Sequence, residues 1–197
     1  MKIEFLETIK VVDGLASNLE YHQRRYEAVL NSYGIKQFAE LSTLIDAPKE
    51  GLYRCRLVYD LKGNIACSYH PYVKRKIASL KLITADKLEY SKKYADREAL
   101  DALFAKRSGC DDVLIVKNGL LYDTTIANIA LFDGKKWVTP KKPLLTGTTR
   151  ERLLESGFLT PKDISVSDLK EYTQIAVMNA MIDFDIIADK KIEEIIC

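Results

Sequence analysis

Blocks of like charge are missing from this chain. Its 30 Lys and Arg stand against 28 Asp and Glu, a formal charge of +2, and no run of one sign is long enough for a nucleic-acid arm or a membrane-surface helix. Small anionic molecules are therefore better matched as partners than polymers. Long apolar runs are missing as well, since no window reaches the roughly 18 apolar residues of a membrane span. The opening Met1-Lys-Ile-Glu-Phe-Leu-Glu7 carries acidic residues where a secretory leader needs an unbroken apolar core. The expectation is a cytoplasmic protein with no membrane partner. Only two His are present, and Cys55, Cys67, Cys110 and Cys197 form no CxxC pair, which argues against a zinc site or a disulfide framework. Buried free thiols and no metal are expected.

What is present suffices for a folded enzyme. With 47% hydrophobic residues among 197, the chain can bury a substantial core in one large domain or two small ones. It has no low-complexity segment and no internal repeat. Ile3 to Val12 reads as a strand ending at Asp13-Gly14, and Leu19 to Tyr33 carries helical spacing through Leu19, Tyr26, Val29 and Leu30. A short helix is expected over Lys36 to Ile45. The runs Gly51 to Tyr59 and Ile65 to Val73, joined by Asp60-Leu-Lys-Gly-Asn64, form a hairpin signature. Ile77 to Ile83 reads as a further strand closing a small N-terminal α/β domain, residues 1–82.

The remaining 83–197 reads as a larger domain of sheet and helices. Ser91 to Ser108 is expected to be helical, and Asp112 to Lys117 with Asn118-Gly119 opens a hairpin continued by Leu120-Leu-Tyr, Ile126 to Phe132 and Lys136 to Thr139. Thr149 to Ser156 opens a helix ended by Gly157, Ser167 to Tyr172 is a short helix, and Gln174 to Met178 is a strand meeting Asn179-Ala-Met181.

The densest chemistry lies between residues 120 and 150. Asp123 leaves a hairpin, Thr124 and Thr125 turn into an apolar strand through Asn128, and Thr146-Gly-Thr-Thr-Arg150 starts a helix. A helix N-terminus with two hydroxyls, Thr148 and Thr149, is suited to hold a phosphate, and a carboxylate suits a cationic ring. Pyridoxal 5′-phosphate is a phosphorylated cationic ring. Arg54 and Arg56 lie two apart in a strand and so share a face, as a carboxylate receptor would require. If that face is turned toward the cofactor, the pair suits a substrate with more than one carboxylate; exposed arginines are also common on strands, and that reading stands beside it. Tyr69, with Tyr72, Ser68 and His70 in the next strand, either completes that wall or fills core.

Six pieces in order resemble the class IV, fold-type IV pyridoxal-phosphate enzymes, which include branched-chain and D-amino-acid aminotransferases and 4-amino-4-deoxychorismate lyase. They are Phe5-Leu-Glu-Thr-Ile-Lys-Val with Asp13-Gly14; His22-Gln-Arg-Arg25; Lys93-Tyr-Ala-Asp-Arg97; Asp123-Thr-Thr-Ile-Ala-Asn-Ile129; Thr146-Gly-Thr-Thr-Arg150; and Asn179-Ala-Met181. The resemblance implies a mixed α+β and α/β chain of two domains with the D-amino-acid-aminotransferase-like fold, cofactor between the domains, and a homodimer acting on an amino or keto acid or aminodeoxychorismate.

It also implies roles. Lys93 is the Schiff-base lysine, with Lys92 the competing choice, and it is expected to open the helix after the interdomain connector. Asp123 stands where relatives more often carry glutamate beside the pyridine nitrogen. Arg25, Thr148 and Thr149 are implied at the phosphate, Asn128 belongs to the same cofactor motif, and Asn179 and the backbone of Ala180 line the phosphate and substrate side. His22 reads as a helix-packing residue, Arg24 as the solvent-facing neighbour of Arg25. The opening strands usual in the family are expected to be missing, leaving Thr8 and Lys10 as the pocket's N-terminal wall. Transamination and pyruvate-releasing lyase chemistry both fit, and a noncatalytic dimeric binding protein is the reading from another class.

Overall fold

The structure, a computed structural model, describes residues 3–187 and 191–196. Two compact units divide the chain. The first holds residues 1–74 and 92–96, the second 75–91 and 97–197.

In the first unit, β1 (Glu4–Val12), β2 (Leu15–Ala16), β3 (Leu52–Asp60) and β4 (Ile65–Pro71) form a sheet in the order β2-β1-β3-β4. All of its pairings are antiparallel, β1 with β2 and β3 with β4 through short hairpin turns. The strand expected from Ile3 to Val12 is present as β1, and its alternation buries Phe5, Glu7, Ile9 and Val11 on one face. Helix α1 (Leu19–Asn31) presents Tyr26, Val29 and Leu30 to Phe5, Leu57 and Tyr59 in the unit's core. The T-shaped Tyr26–Tyr59 pair, with centroids 4.8 Å apart, adds aromatic edge-to-face contact to that burial.

The helix expected over Lys36 to Ile45 shrinks to α2 (Leu41–Leu44). Gln23 is the cause. Its side chain donates to the carbonyl of Ala39 at 3.0 Å and accepts from the Leu41 N–H at 2.8 Å, occupying backbone groups that a longer helix would pair internally.

The second unit begins earlier than residue 83. β5 (Leu80–Thr84) lies in a three-stranded sheet with β6 (Asp112–Lys117) and β7 (Leu120–Thr124), paired in parallel to β6. The boundary expected after Leu82 thus falls after Lys74, because the ladder partners of β5 belong to the second unit. Helix α3 (Glu98–Ala105) is much shorter than the expected helix over Ser91 to Ser108. Residues 92–96 return instead to the first unit, where the Leu6 N–H donates to the Lys93 carbonyl at 2.8 Å and the Ala95 N–H to the Glu4 carbonyl at 2.9 Å. Backbone groups committed to β1 cannot serve a helix.

The rest of the second unit holds β8 (Asn128–Phe132), β9 (Trp137–Pro140), α4 (Thr148–Glu155), β10 (Leu159–Lys162), a 3-10 helix (Val166–Glu171), β11 (Gln174–Asn179), β12 (Asp183–Ile186) and α5 (Ile192–Ile195). Its five-stranded sheet runs β10-β9-β8-β11-β12. Leu80, Leu114, Leu121, Ile129, Leu131 and Val177 centre the core. Cys55 and Cys67 are free thiols as expected, whereas Cys110 is disulfide-bonded, a departure that spacing along the chain could not reveal. Cys197 lies outside the described residues.

Candidate active site

In the first unit, the alternation that builds β1 puts a charge into the core. Glu7 is fully buried on the face covered by α1. One turn of α1 brings Arg25 and His22 to it, three residues apart and therefore on one helix face. Arg25 donates through Nε to Glu7 Oε1 at 2.8 Å and through Nη2 to Oε2 at 2.5 Å, while His22 Nδ1 lies 2.6 Å from Oε2. The guanidinium plane is thereby fixed by a bidentate pair. Burial alone raises the Glu7 carboxyl, but the Arg25 charge and the bonds from His22 and Arg25 reverse this and hold it at about 2. Burial lowers the His22 pKa, the partnership with Glu7 opposes that shift, and the Lys93 charge adds to it.

The two candidate lysines are separated by their surroundings. Lys92 Nζ sits 5.2 Å from the centroid of the Tyr33 ring, a cation–π position, while the Lys93 charge acts on the His22 ring. Lys93 is half-buried in the segment paired to β1 and does not open a helix. Arg24 is exposed and stacks its guanidinium on Tyr21 at 4.3 Å, consistent with a solvent-facing residue.

In the second unit, Asp123 is buried at 4% exposure at the end of β7. Asn128 Nδ2 donates to its Oδ1 at 2.9 Å and also to the Leu145 carbonyl at 2.8 Å, and the Leu145 N–H donates to Asp123 Oδ2 at 2.9 Å. Burial pushes the Asp123 carboxyl up to about 6 against the pull of these donors and of the Arg150 charge. The turn between Asp123 and Asn128 is pinned from three sides. Thr125 Oγ1 donates to the buried Asp112 at 2.7 Å, Arg97 Nη2 to the Thr125 carbonyl at 3.0 Å, and Asn179 Nδ2 to the Ile126 carbonyl at 3.1 Å.

Helix α4 begins three residues after Leu145, whose carbonyl Asn128 holds. Its N-cap is Gly147, with no side-chain cap, so the first-turn N–H groups have no such partner. A Cβ on Gly147 would lie 2.0 Å from Asn128 Oδ1, and only glycine allows this approach. Thr148 and Thr149 are buried, and neither hydroxyl has a protein partner among the described residues. Arg150 donates through Nη2 to the Pro140 carbonyl at 2.9 Å, and its buried Nε has no partner among the described residues.

The remaining expected residues divide. Arg54 and Arg56 share one face of the sheet, as their spacing required, but Tyr69 does not join them. It pairs across strands with Cys55 on the opposite, α1-covered face, because a direct cross-strand neighbour shares its partner's face. Asn179 turns its side chain inward on its own loop, accepting from the N–H groups of Met181 at 2.9 Å and Ile182 at 3.1 Å. Ala180 is half-buried in that turn. Reasoning from sequence missed Glu7, although a signal existed: it occupies the buried phase of β1 between Phe5 and Ile9. It also missed the contact between Gly147 and Asn128.

The residues of the second unit fit a phosphorylated cationic ring. An uncapped helix start, two uncommitted threonine hydroxyls and the orphaned Arg150 Nε supply positive potential for a dianion. A buried carboxyl with a raised pKa is one that a cationic partner would return to its charged form.

A family profile for amino-transferase class IV matches residues 4–187. An uncharacterized protein of Haemophilus influenzae is 37% identical over 182 residues, covering 89% of this chain and 96% of its own length. A crystal structure from Haemophilus somnus, of a protein provisionally named 4-amino-4-deoxychorismate lyase, superposes with a TM-score of 0.85 at 33% identity, covering 92% of this chain and 97% of that one. A Mesorhizobium loti structure provisionally named an amino-acid aminotransferase gives a TM-score of 0.81 at 22% identity, covering 93% and 98%, and shares the fold. The chain belongs to the class IV aminotransferase family, the fold-type IV enzymes that depend on pyridoxal phosphate.

Proposed function

We propose that the protein acts on an amino acid with pyridoxal phosphate bound covalently through Lys93. The carrying observation is the Asp123 clamp: a buried carboxylate set by Asn128 and Leu145 beside an uncapped helix start. When bound, the cofactor supplies an electron sink for charge developing at the substrate α-carbon. Asp123 keeps the ring nitrogen protonated. Thr148, Thr149 and the N–H groups opening α4 hold the phosphate, joined by Arg25, whose guanidinium Glu7 orients, and by the backbone of Ala180. Asn128 and Asn179 act as positioning residues, the first on Asp123 and the second on the turn behind it. Lys93 moves the proton at the α-carbon. A cytoplasmic homodimer completes the reading, and light scattering in solution tests the dimer.

Two chemistries share this site. In transamination Lys93 returns the proton at a second carbon and a keto acid accepts the amino group. In the lyase alternative pyruvate leaves aminodeoxychorismate and 4-aminobenzoate remains, a reading with which the name of the Haemophilus somnus relative agrees, as that of the Mesorhizobium loti relative agrees with transamination. A noncatalytic dimeric binding protein is the lesser alternative.

The test is visible absorption of the protein with pyridoxal phosphate, before and after borohydride, for the parent, Lys93→Ala and Lys92→Ala. A band lost only in Lys93→Ala, followed by turnover of an amino acid or release of pyruvate, is expected. A parent protein without the band leaves the binding-protein reading standing instead.

A further inference from the structure

The face of the first sheet opposite α1 carries an arrangement that stability alone does not explain. Cross-strand partners share a face, and the register places Lys10, Arg54 and His70 side by side on one rung, with Thr8, Arg56 and Ser68 on another two residues away. Lys10 and Arg54 are directly opposite one another, where like charges destabilise a strand pair. Neither of them, nor Arg56, has an acidic partner among the described residues. The acids sharing this face, Glu4 and Asp60, form a rung four residues from Thr8 and Arg56, roughly 13 Å along the strand. Asp60 is buried and already accepts from the Lys62 and Asn64 N–H groups and from Asn64 Nδ2. Arg54, Ser68 and His70 are exposed and Lys10, Arg56 and Thr8 half-buried. His70 Nε2 lies 3.1 Å from Ser68 Oγ, bridging the two rungs.

We propose that this face is a recognition site for a substrate carrying two carboxylates. Arg56, flanked by the Thr8 and Ser68 hydroxyls, takes one carboxylate, and Arg54 with Lys10 and His70 takes the other. The two rungs stand about 7 Å apart along the strand, a span that two flexible guanidinium groups cover for a dicarboxylic acid of four or five carbons. An arginine fork binds each carboxylate bidentately. A monocarboxylate leaves one rung's cationic charge without a counterion. The site therefore selects by the second acid group, a feature shared by acidic amino and keto acids and by aminodeoxychorismate.

The inference rests on the reading of this chain as an amino-acid enzyme, yet its test needs no turnover. Isothermal titration of the full chain, with and without pyridoxal phosphate, compares glutarate, butyrate and sulfate. Glutarate is expected to bind at least tenfold more tightly than either. Arg54→Gln and Arg56→Gln are each expected to bring glutarate down to the affinity of butyrate, and Lys10→Gln to weaken it severalfold. Melting curves verify that each variant is folded, and the exposed Lys136→Gln serves as a charge control. Equal binding of glutarate and butyrate overturns the proposal, as does sulfate binding as tightly as glutarate or glutarate affinity unchanged in both arginine variants. Discrimination that persists while the Lys93 absorption band is absent sinks the cofactor reading alone; the band without discrimination sinks this one alone.

Discussion

A buried carboxylate such as Glu7 is expensive unless it is paired and bonded. Here both oxygens are engaged by Arg25, and one of them also by His22. Glu7→Gln preserves volume and removes the charge, taking the buried carboxylate away from a largely buried guanidinium. A loss of roughly 3 kcal/mol in urea unfolding is expected, together with weaker pyridoxal phosphate binding, since Arg25 loses the fork that orients it. Arg24→Gln, on the exposed side of the same helix, is the comparison: if both variants bind cofactor equally, Glu7 does not position Arg25. Sequence reasoning assigned Arg25 by its place in a motif and left Glu7 unread, because an acid in a strand is ordinarily solvent-facing. Its phase with Phe5, Ile9 and Val11 held the missing information.

Among the elements, strands were legible where turns announced them. Asp13-Gly14, Asp60 to Asn64 and Asn118-Gly119 each close a hairpin or turn as expected, with Gly14, Gly63 and Gly119 at positive φ. Helices were over-read wherever side chains or a neighbouring strand captured their backbone, as Gln23 does at Ala39 and Leu41 and β1 does at Lys93 and Ala95. The start of α4 was legible from Gly-Thr-Thr, but the reason for glycine was not. Gly147 has φ −76 and ψ 139, which any residue adopts, so its necessity lies entirely in the approach of Asn128. Gly147→Ala is expected to displace the Asn128 amide, cost about 1–3 kcal/mol of stability and lower cofactor affinity at least tenfold. Adding Asn128→Ser should relieve the clash, so that the double variant is more stable than the sum of the singles predicts. Strict additivity in a double-mutant cycle would remove Asn128 as the obstacle.

Across the whole molecule, the two units are set to respond to acid with opposite signs. Glu7 has a depressed folded pKa, so its stabilisation is present above its ordinary value of 4.5 and is lost as pH falls toward about 2. His22, also depressed, favours the folded state above 6.5 and loses that contribution on acidification. Asp123 runs the other way. Raised from 3.8 to about 6, it stabilises fully below 3.8 and loses that contribution as pH rises through about 6, a difference of roughly 3 kcal/mol. Between pH 7 and pH 4.5 the cofactor-free first unit should therefore weaken while the second strengthens. Trp137, the one tryptophan, reports the second unit by fluorescence, and near-ultraviolet dichroism of the Phe5–Tyr26–Tyr59 cluster reports the first. Urea midpoints that move in the same direction for both signals would contradict this. The two-part organisation was visible in the sequence, but the return of residues 92–96 to the first unit was not, since nothing local marks a strand pairing across some 90 residues.

That return makes β1 a common rail. Leu6 holds the segment bearing Lys93, Glu7 anchors Arg25 beneath the sheet, and Thr8 and Lys10 belong to the cationic rungs above it. Insertion or deletion of a single residue between Leu6 and Lys10 would exchange the two faces, carrying the buried acid into solvent and the cations into the core while shifting the lysine's anchor by one place. A change of length along that rail therefore disturbs the lysine's anchor, the buried acid and the cationic rungs at once, whereas a substitution disturbs only one of them.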